Sequence, residues 1–351
     1  MIEQRDYNRM IPSLDAEAAE RARRHIDQLT KPHGSLGRLE ELAIQLAAMT
    51  GEPFPQVSPP GILVFAGDHG VVAEGVSAFP QEVTAQMVGN FVSGGAAINV
   101  FSRQIGGLLQ VVDVGVVSDL QTPGVWNRKV RCGTGNMLRE DAMTREEAAR
   151  SLQVGMECAE AIVAEGARLL IIGEMGIGNT TSSSAILTAL TQANVEEIVG
   201  RGTGVSEEAF RHKKRVIQQA LAARRPIADD PLDVLAKVGG LEIGGMAGAV
   251  LEAASRRIPV LVDGFISSVA ALIAVRLQPR ARDYLIVGHR SQEPGHARVV
   301  AELAKEPILD LQLRLGEASG AAVAFPILES AVRMVREMAT FTTAGVSEKQ
   351  E

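Results

Sequence analysis

The chain has 351 residues, 46% of them hydrophobic and 22% charged, which suits a globular protein with a large core, room for one big domain and a small one. A net charge of −7 excludes the basic surface that nucleic-acid binding needs, and 3% aromatics leave few stacking platforms for single strands. Cys132 and Cys158 stand far apart without metal or redox spacing, the first twenty residues lack a signal-peptide apolar core, and no apolar run reaches the ~18–20 residues of a membrane span. A cytoplasmic protein with reduced thiols is expected.

In chain order, residues 13–29 carry Leu14, Ala18, Ala22, Ile26 and Leu29 at helical spacing. Lys31-Pro32-His33-Gly34 breaks the pattern, and a second amphipathic helix is predicted over 36–49. The linking KPHGSLG reads as a helix stop and restart, although its base and imidazole are unusual for a plain linker. After a proline-rich stretch at 53–60 comes GILVFA at 61–66, without polar alternation. Such runs suit strands buried on both faces of a parallel sheet, and similar ones recur at 108–114, 168–172, 258–262 and 284–287. Helical patterns alternate with them at 81–102, 145–165, 206–223 and 265–276. The expectation is an α/β protein with a large doubly wound domain around a parallel sheet. A last helix over 329–338 is expected to pack on the N-terminal helices as a small second domain, with 340–351 loosely ordered.

The predicted strands end in polar turns: Gly67-Asp68-His69-Gly70, Asp113-Val114-Gly115, Gly173-Glu174-Met175-Gly176, Asp263-Gly264 and Gly288-His289-Arg290-Ser291. Ligands of open parallel sheets bind outside the carboxyl ends of the strands, so these turns point to one shared site. The third turn continues as GEMGIGNTTSSS into a helix of small residues, leaving backbone N–H groups and a helix dipole for an anion. It lacks the lysine of a triphosphate loop and the spacing of a dinucleotide loop, so a monophosphate or sugar-phosphate fits it better. A tight strand–helix turn without ligand stays open beside that reading.

The run Arg211-His212-Lys213-Lys214-Arg215 is either a solvated helix face or the source of one phosphate-binding lysine. Asp68 with His69, and His289 with Glu293 and His296, are metal-ligand types without metal-ligand spacing. Glu317 lies among apolar and small residues in LRLGEASGAA. A carboxylate so placed acquires a raised pKa and suits a general base near neutral pH, while a surface glutamate at a helix start is the plainer alternative. Glu174 is a second carboxylate candidate. The segment 239–250, GGLEIGGMAGAV, is dense in glycine and alanine and predicts close helix packing.

Taken in order, GVSAFPQEVTAQM, GEMGIGNTT, GGLEIGGMAGA, LVDGFISS, GHRSQEPGH and LRLGEASGAA closely resemble the nicotinate-nucleotide–dimethylbenzimidazole phosphoribosyltransferase family, over residues 15–340. That resemblance implies transfer of the 5-phosphoribosyl group of nicotinate mononucleotide to 5,6-dimethylbenzimidazole. The products are nicotinate and α-ribazole 5′-phosphate, a precursor of the cobalamin lower ligand. It implies a homodimer without metal or cofactor, with a large α/β domain at 30–300. A small helical domain of 1–29 and 301–351 places Glu317 at the junction. Glu317 falls on the family's catalytic glutamate, which takes the benzimidazole proton as configuration inverts at C1′. Glu174, Gly176, Ile177, Gly178, Asn179 and Thr180 are implied to line the phosphoribosyl site, with Lys213 facing it and Ser291 adding a hydrogen bond. Phe79, Met87 and Leu315 are implied to bracket the flat base. A metal-dependent phosphohydrolase using Asp68, His69 and His289, and a non-catalytic sugar-phosphate binder, are the other classes to weigh.

Overall fold

The apolar runs become the strands of one parallel sheet. The computed structural model describes residues 10–120, 122–200 and 206–347. The strands are β1 (Pro60–Gly67), β2 (Leu108–Gly115), β3 (Val125–Asn127), β4 (Leu169–Met175), β5 (Val260–Val262) and β6 (Leu285–Val287). Their order across the sheet is β3-β2-β1-β4-β5-β6, with every pairing parallel. All eight residues of β1 are buried, which explains the absence of polar alternation. The edge strand β3 has no counterpart among the sequence expectations: three residues, none of them fully buried, give no apolar run to read.

Helices cover both faces, so the α/β doubly wound expectation stands. The first half contributes α1 (Ala16–Gln28), α2 (Arg38–Thr50), α3 (Glu82–Val92), α4 (Ala97–Gln104) and α5 (Arg145–Ala164). Then come α6 (Asn179–Thr191), α7 (Val195–Ile198), α8 (Glu207–Arg224), α9 (Pro231–Val238) and α10 (Leu241–Ser255). The last four are α11 (Phe265–Leu277), α12 (Pro294–Leu303), α13 (Ser319–Glu337) and α14 (Phe341–Ala344). Gly61 and Phe65 of β1 face Ile162 of α5 and Gly245 of α10. Gly173, which pairs with Val64, faces Ala318 at the start of α13. Because side chains alternate along a strand, α13 therefore lies on the opposite face from α10. The expected tight packing of 239–250 is present where α10 crosses α5.

Three expectations need correction. The helix read over 81–102 is two, α3 and α4, separated at Ser93-Gly94-Gly95, where Gly94 takes a left-handed φ of +79°. The final helix begins at Ser319, not 329, because the small residues before Pro326 are buried against the sheet. The tail expected to be loose forms α14, capped by Thr340, whose side chain accepts from Thr343 N–H at 3.1 Å. Residues 348–351 lie outside the described residues.

The two ends of the chain meet. α1 and α2 pack together and against α13. His25 Nε2 donates to Val335 O at 3.0 Å, and Thr30 N–H to Ala339 O at 3.0 Å. The break at KPHGSLG is a helix stop and restart, held by a buried Lys31–Glu40 ion pair at 2.9 Å. Among the described residues no helix is long and apolar enough to cross a membrane.

Candidate active site

In this strand order the direction of winding reverses between β1 and β4, and a crevice opens there at the carboxyl ends of the strands. The glycine loop leaves β4 at that place. Gly176 lies against Gly67 O of β1, so closely that a Cβ would come within 2.3 Å of it. Gly178 takes a left-handed φ of +97° and starts α6. Ile177 N–H donates to Thr84 Oγ1 at 3.1 Å, and Asn179 Nδ2 donates to Glu174 Oε2. The loop is thereby fixed with the helix N-terminus facing outward, the geometry of an anion cradle.

A cavity of about 510 Å³ stands over this loop, within the size range of small-molecule sites. Of the residues named from sequence, Phe79, Glu174, Gly176, Ile177, Gly178, Asn179 and Thr180 line it, as do Ser291, Leu315 and Glu317. Lys213 stands behind the wall: fully buried on α8, it donates from Nζ to Thr180 Oγ1 at 2.9 Å. Burial pushes its ammonium down to about 8, while the Glu293 carboxylate acts in the opposite direction. Met87 does not line the cavity; it packs on the core from α3, with Asn90 Nδ2 at 4.0 Å from its sulfur.

The cavity is strongly acidic on one side. Glu317 precedes α13 with only 6% of its surface exposed, and burial, aided by the Asp263 carboxylate, pushes its pKa up to about 7. Glu174 is held well above the usual carboxylate range by burial first, then by Glu242, Asp263 and Glu317. Asp263 also lines the cavity. Sequence marked it only as a strand end, because its neighbours here come from β6 and α13.

The histidines are bound into the framework. His69 Nε2 lies 2.7 Å from Glu242 Oε1 and its Nδ1 2.9 Å from Ser182 Oγ. Burial first, then the charges of His289 and Arg290, push His296 down to about 3, and its Nδ1 accepts from Ser291 N–H at 3.0 Å. Asp68 Oδ2 accepts from Val117 N–H at 2.8 Å. No group of three or more His, Cys, Asp or Glu that could hold a metal ion occurs among the described residues, so Asp68, His69 and His289 do not converge.

Residues 11–346 match the family model DBI_PRT, described as phosphoribosyltransferase. The chain belongs to this phosphoribosyltransferase family. Among its relatives, the nicotinate-nucleotide–dimethylbenzimidazole phosphoribosyltransferase of Halalkalibacterium halodurans is 56% identical over 337 residues, 96% of this chain and 94% of that protein. The enzyme of the same name from Chloroflexus aggregans is 52% identical over 342 residues, 97% of each chain. The crystal structure of CobT from Thermus thermophilus superposes with a TM-score of 0.91 at 49% identity, covering 95% of this chain and 100% of that one. A phosphoribosyltransferase must hold a ribose-phosphate and act at its anomeric carbon. The anion cradle and the buried carboxylates of this cavity have the chemical types those two tasks require.

Proposed function

We propose that this phosphoribosyltransferase moves the 5-phosphoribosyl group of nicotinate mononucleotide to 5,6-dimethylbenzimidazole, for cobalamin lower-ligand assembly. The observation that carries the reading is one cavity holding both the 176–180 anion loop and Glu317, a carboxyl with its pKa raised to about 7. A base of that pKa is ionised in useful amount at neutral pH and still strong enough to take an azole proton. One benzimidazole nitrogen forms a bond to C1′ as the C1′–N bond to nicotinate breaks. The bonding pair returns to the pyridinium nitrogen and neutralises it. The proton on the other benzimidazole nitrogen goes to Glu317. Attack from the face opposite the leaving group turns the β-nucleotide into α-ribazole 5′-phosphate. The leaving pyridinium is already cationic, so the step asks for no metal.

In this reading the loop residues Glu174, Gly176, Ile177, Gly178, Asn179 and Thr180 hold the ribose-phosphate, with Lys213 acting through Thr180 and Ser291 adding a hydrogen bond. Phe79 and Leu315 bracket the base, while Met87, outside the cavity lining, takes no part in holding it. Of the small helical domain read over 1–29 and 301–351, residues 10–29 and 301–347 form the described part, with 1–9 and 348–351 outside the described residues, and the enzyme works as a cytoplasmic homodimer.

Incubation of EDTA-treated enzyme with nicotinate mononucleotide and dimethylbenzimidazole, followed by product chromatography, is expected to give α-ribazole 5′-phosphate. Free phosphate released only after metal addition would replace this reading with a phosphohydrolase. Binding without turnover would leave a sugar-phosphate binder. For Lys213→Ala, loss of one charge-assisted hydrogen-bond donor predicts a dissociation constant for nicotinate mononucleotide raised roughly 10–100-fold. An unchanged constant by calorimetry would remove Lys213 from the phosphate site.

A further inference from the structure

Glu317 and Ala318 both take left-handed backbone, with φ of +62° and +66°. For residues other than glycine that conformation costs ~1–3 kcal/mol each and persists only where surrounding structure enforces it. The enforcing contacts come from the carboxyl ends of three strands. Asp263, just after β5 and 1% exposed, accepts from Ala321 N–H through Oδ1 at 2.8 Å. The same oxygen lies 3.3 Å from His289 Nε2, just after β6. The His289 ring lies against Gly320, where a Cβ would meet its Cδ2 at 2.1 Å. From β4, Gly173 leaves the space that Ala318 fills; a Cβ there would stand 2.4 Å from Ala318 N. Ala318, Gly320 and Ala321 are thus each set against a strand end, and the direction of Glu317 follows from theirs.

We propose that Asp263 and His289 form a positioning pair for the catalytic base, clamping the 316–321 turn to the ends of β5 and β6 so that Glu317 meets the proton it removes. The inference rests on the reading of Glu317 as that base. Burial by itself lowers the His289 pKa, but its hydrogen bond and charge attraction to Asp263 bring it above its ordinary value, which strengthens the clamp. The charged and titratable groups sharing the cavity with Glu317 are Glu174, Asp263, His289, Glu293 and Arg314, with Glu242 behind Glu174. Of these, Asp263 is the one whose negative charge adds to burial in raising Glu317.

The test is the pH profile of kcat, with KM for nicotinate mononucleotide and melting temperature measured in parallel. Asp263→Asn keeps an oxygen for Ala321 N–H but removes the charge. Its acid limb, expected near pH 7 in the parent enzyme, should move down by about one unit, as loss of a neighbouring like charge requires. Its plateau should fall roughly tenfold or more, from a weaker and less well-aimed base, with KM held within about twofold. His289→Gln, which loses the ring against Gly320, should lower kcat with KM likewise held. An unmoved limb and unchanged kcat in Asp263→Asn overturn the inference, as does an effect on KM alone. If Asp263→Asn does not fold, His289→Gln decides, and a parent-like kcat there overturns it. Glu317→Gln separates the two levels. Retained turnover in that variant sinks the base itself, whereas its loss beside an unmoved Asp263→Asn limb sinks only the clamp.

Discussion

Replacement of Glu317 by glutamine is expected to abolish most turnover and to make the folded protein more stable. The kinetic loss is ~10²–10⁴-fold, the usual contribution of a positioned general base, with nicotinate mononucleotide still bound. The stability gain follows from burial. Glu317 has its pKa raised from 4.5 to about 7 in the folded chain. Below pH 4.5 the carboxyl is protonated in both folded and unfolded states, so it makes no difference. As pH rises through this interval the unfolded chain ionises freely while the folded one resists. Above pH 7 both are ionised, and the folded state carries a penalty of about 3 kcal/mol, at ~1.4 kcal/mol per pKa unit. Glutamine removes the charge and keeps the shape. Melting curves should therefore show the variant more stable by a few degrees at about pH 8 and unchanged at about pH 4. Equal stability at both pH values would mean that the Glu317 carboxylate is not held in a poorly solvated place. Coupled loss of turnover and gain of stability is what a group retained for chemistry produces.

Why some of this was readable from sequence and some was not comes down to how far each feature depends on distant residues. β1, β5 and β6 are legible because every residue in them is buried, which leaves an apolar word on both faces, and β4 is buried up to its last residue. β2 reads through its Leu-Leu and Val-Val pairs although its first three residues are half-buried. β3 shares the pairing but not the burial, and it disappears. The 81–102 segment keeps apolar spacing on both sides of Ser93-Gly94-Gly95, which hides a break that the paired glycines mark locally and the left-handed Gly94 makes. The β4–α6 loop announces itself through locally spaced glycines, since an anion cradle is built from consecutive residues. The run from Arg211 to Arg215 shows several equivalent bases. The residue pattern does not rank them and only the family resemblance picks Lys213; the packing of α8 supplies the physical difference, with Lys213 fully buried on Thr180 while Arg211 and Arg215 are exposed. Asp263 is the extreme case. Its partners Ala321 and His289 lie on other elements, and an Asp-Gly after a short strand carries no local mark of what it will hold. Features made of neighbours are legible; features made by topology are not.

Away from the cavity, Gly155→Ala is expected to be among the most damaging single substitutions. In an open helix the same change gains stability, because alanine is the better helix former by ~1 kcal/mol. Gly89 on α3, with nothing within 4 Å of an added Cβ, is the internal control, and Gly89→Ala should be neutral to stabilising. At Gly155 the added atom would stand 1.8 Å from Gly245 O and 2.8 Å from Ala249 N, backbone atoms of α10 that cannot turn aside. The contact is mutual, since a Cβ at Gly248 would stand 1.9 Å from Leu152 O of α5. α10 cannot retreat either, because Gly245 already lies against the Phe65 ring of β1. Overpacking of this kind costs ~1–3 kcal/mol where side chains can adjust, and backbone against backbone should reach or exceed the upper end. Denaturant unfolding should show it as a lower midpoint with little change in slope. The damage should also reach the site. α10 carries Glu242, whose carboxylate holds His69 at 2.7 Å, and the His69 ring supports Gly176 and Gly178 from beneath. Turnover per folded molecule should therefore fall in Gly155→Ala and stay level in Gly89→Ala. A Gly155→Ala protein that melts and turns over like its parent would show that α5 and α10 can part without cost, and the backbone contact between them would lose its structural role.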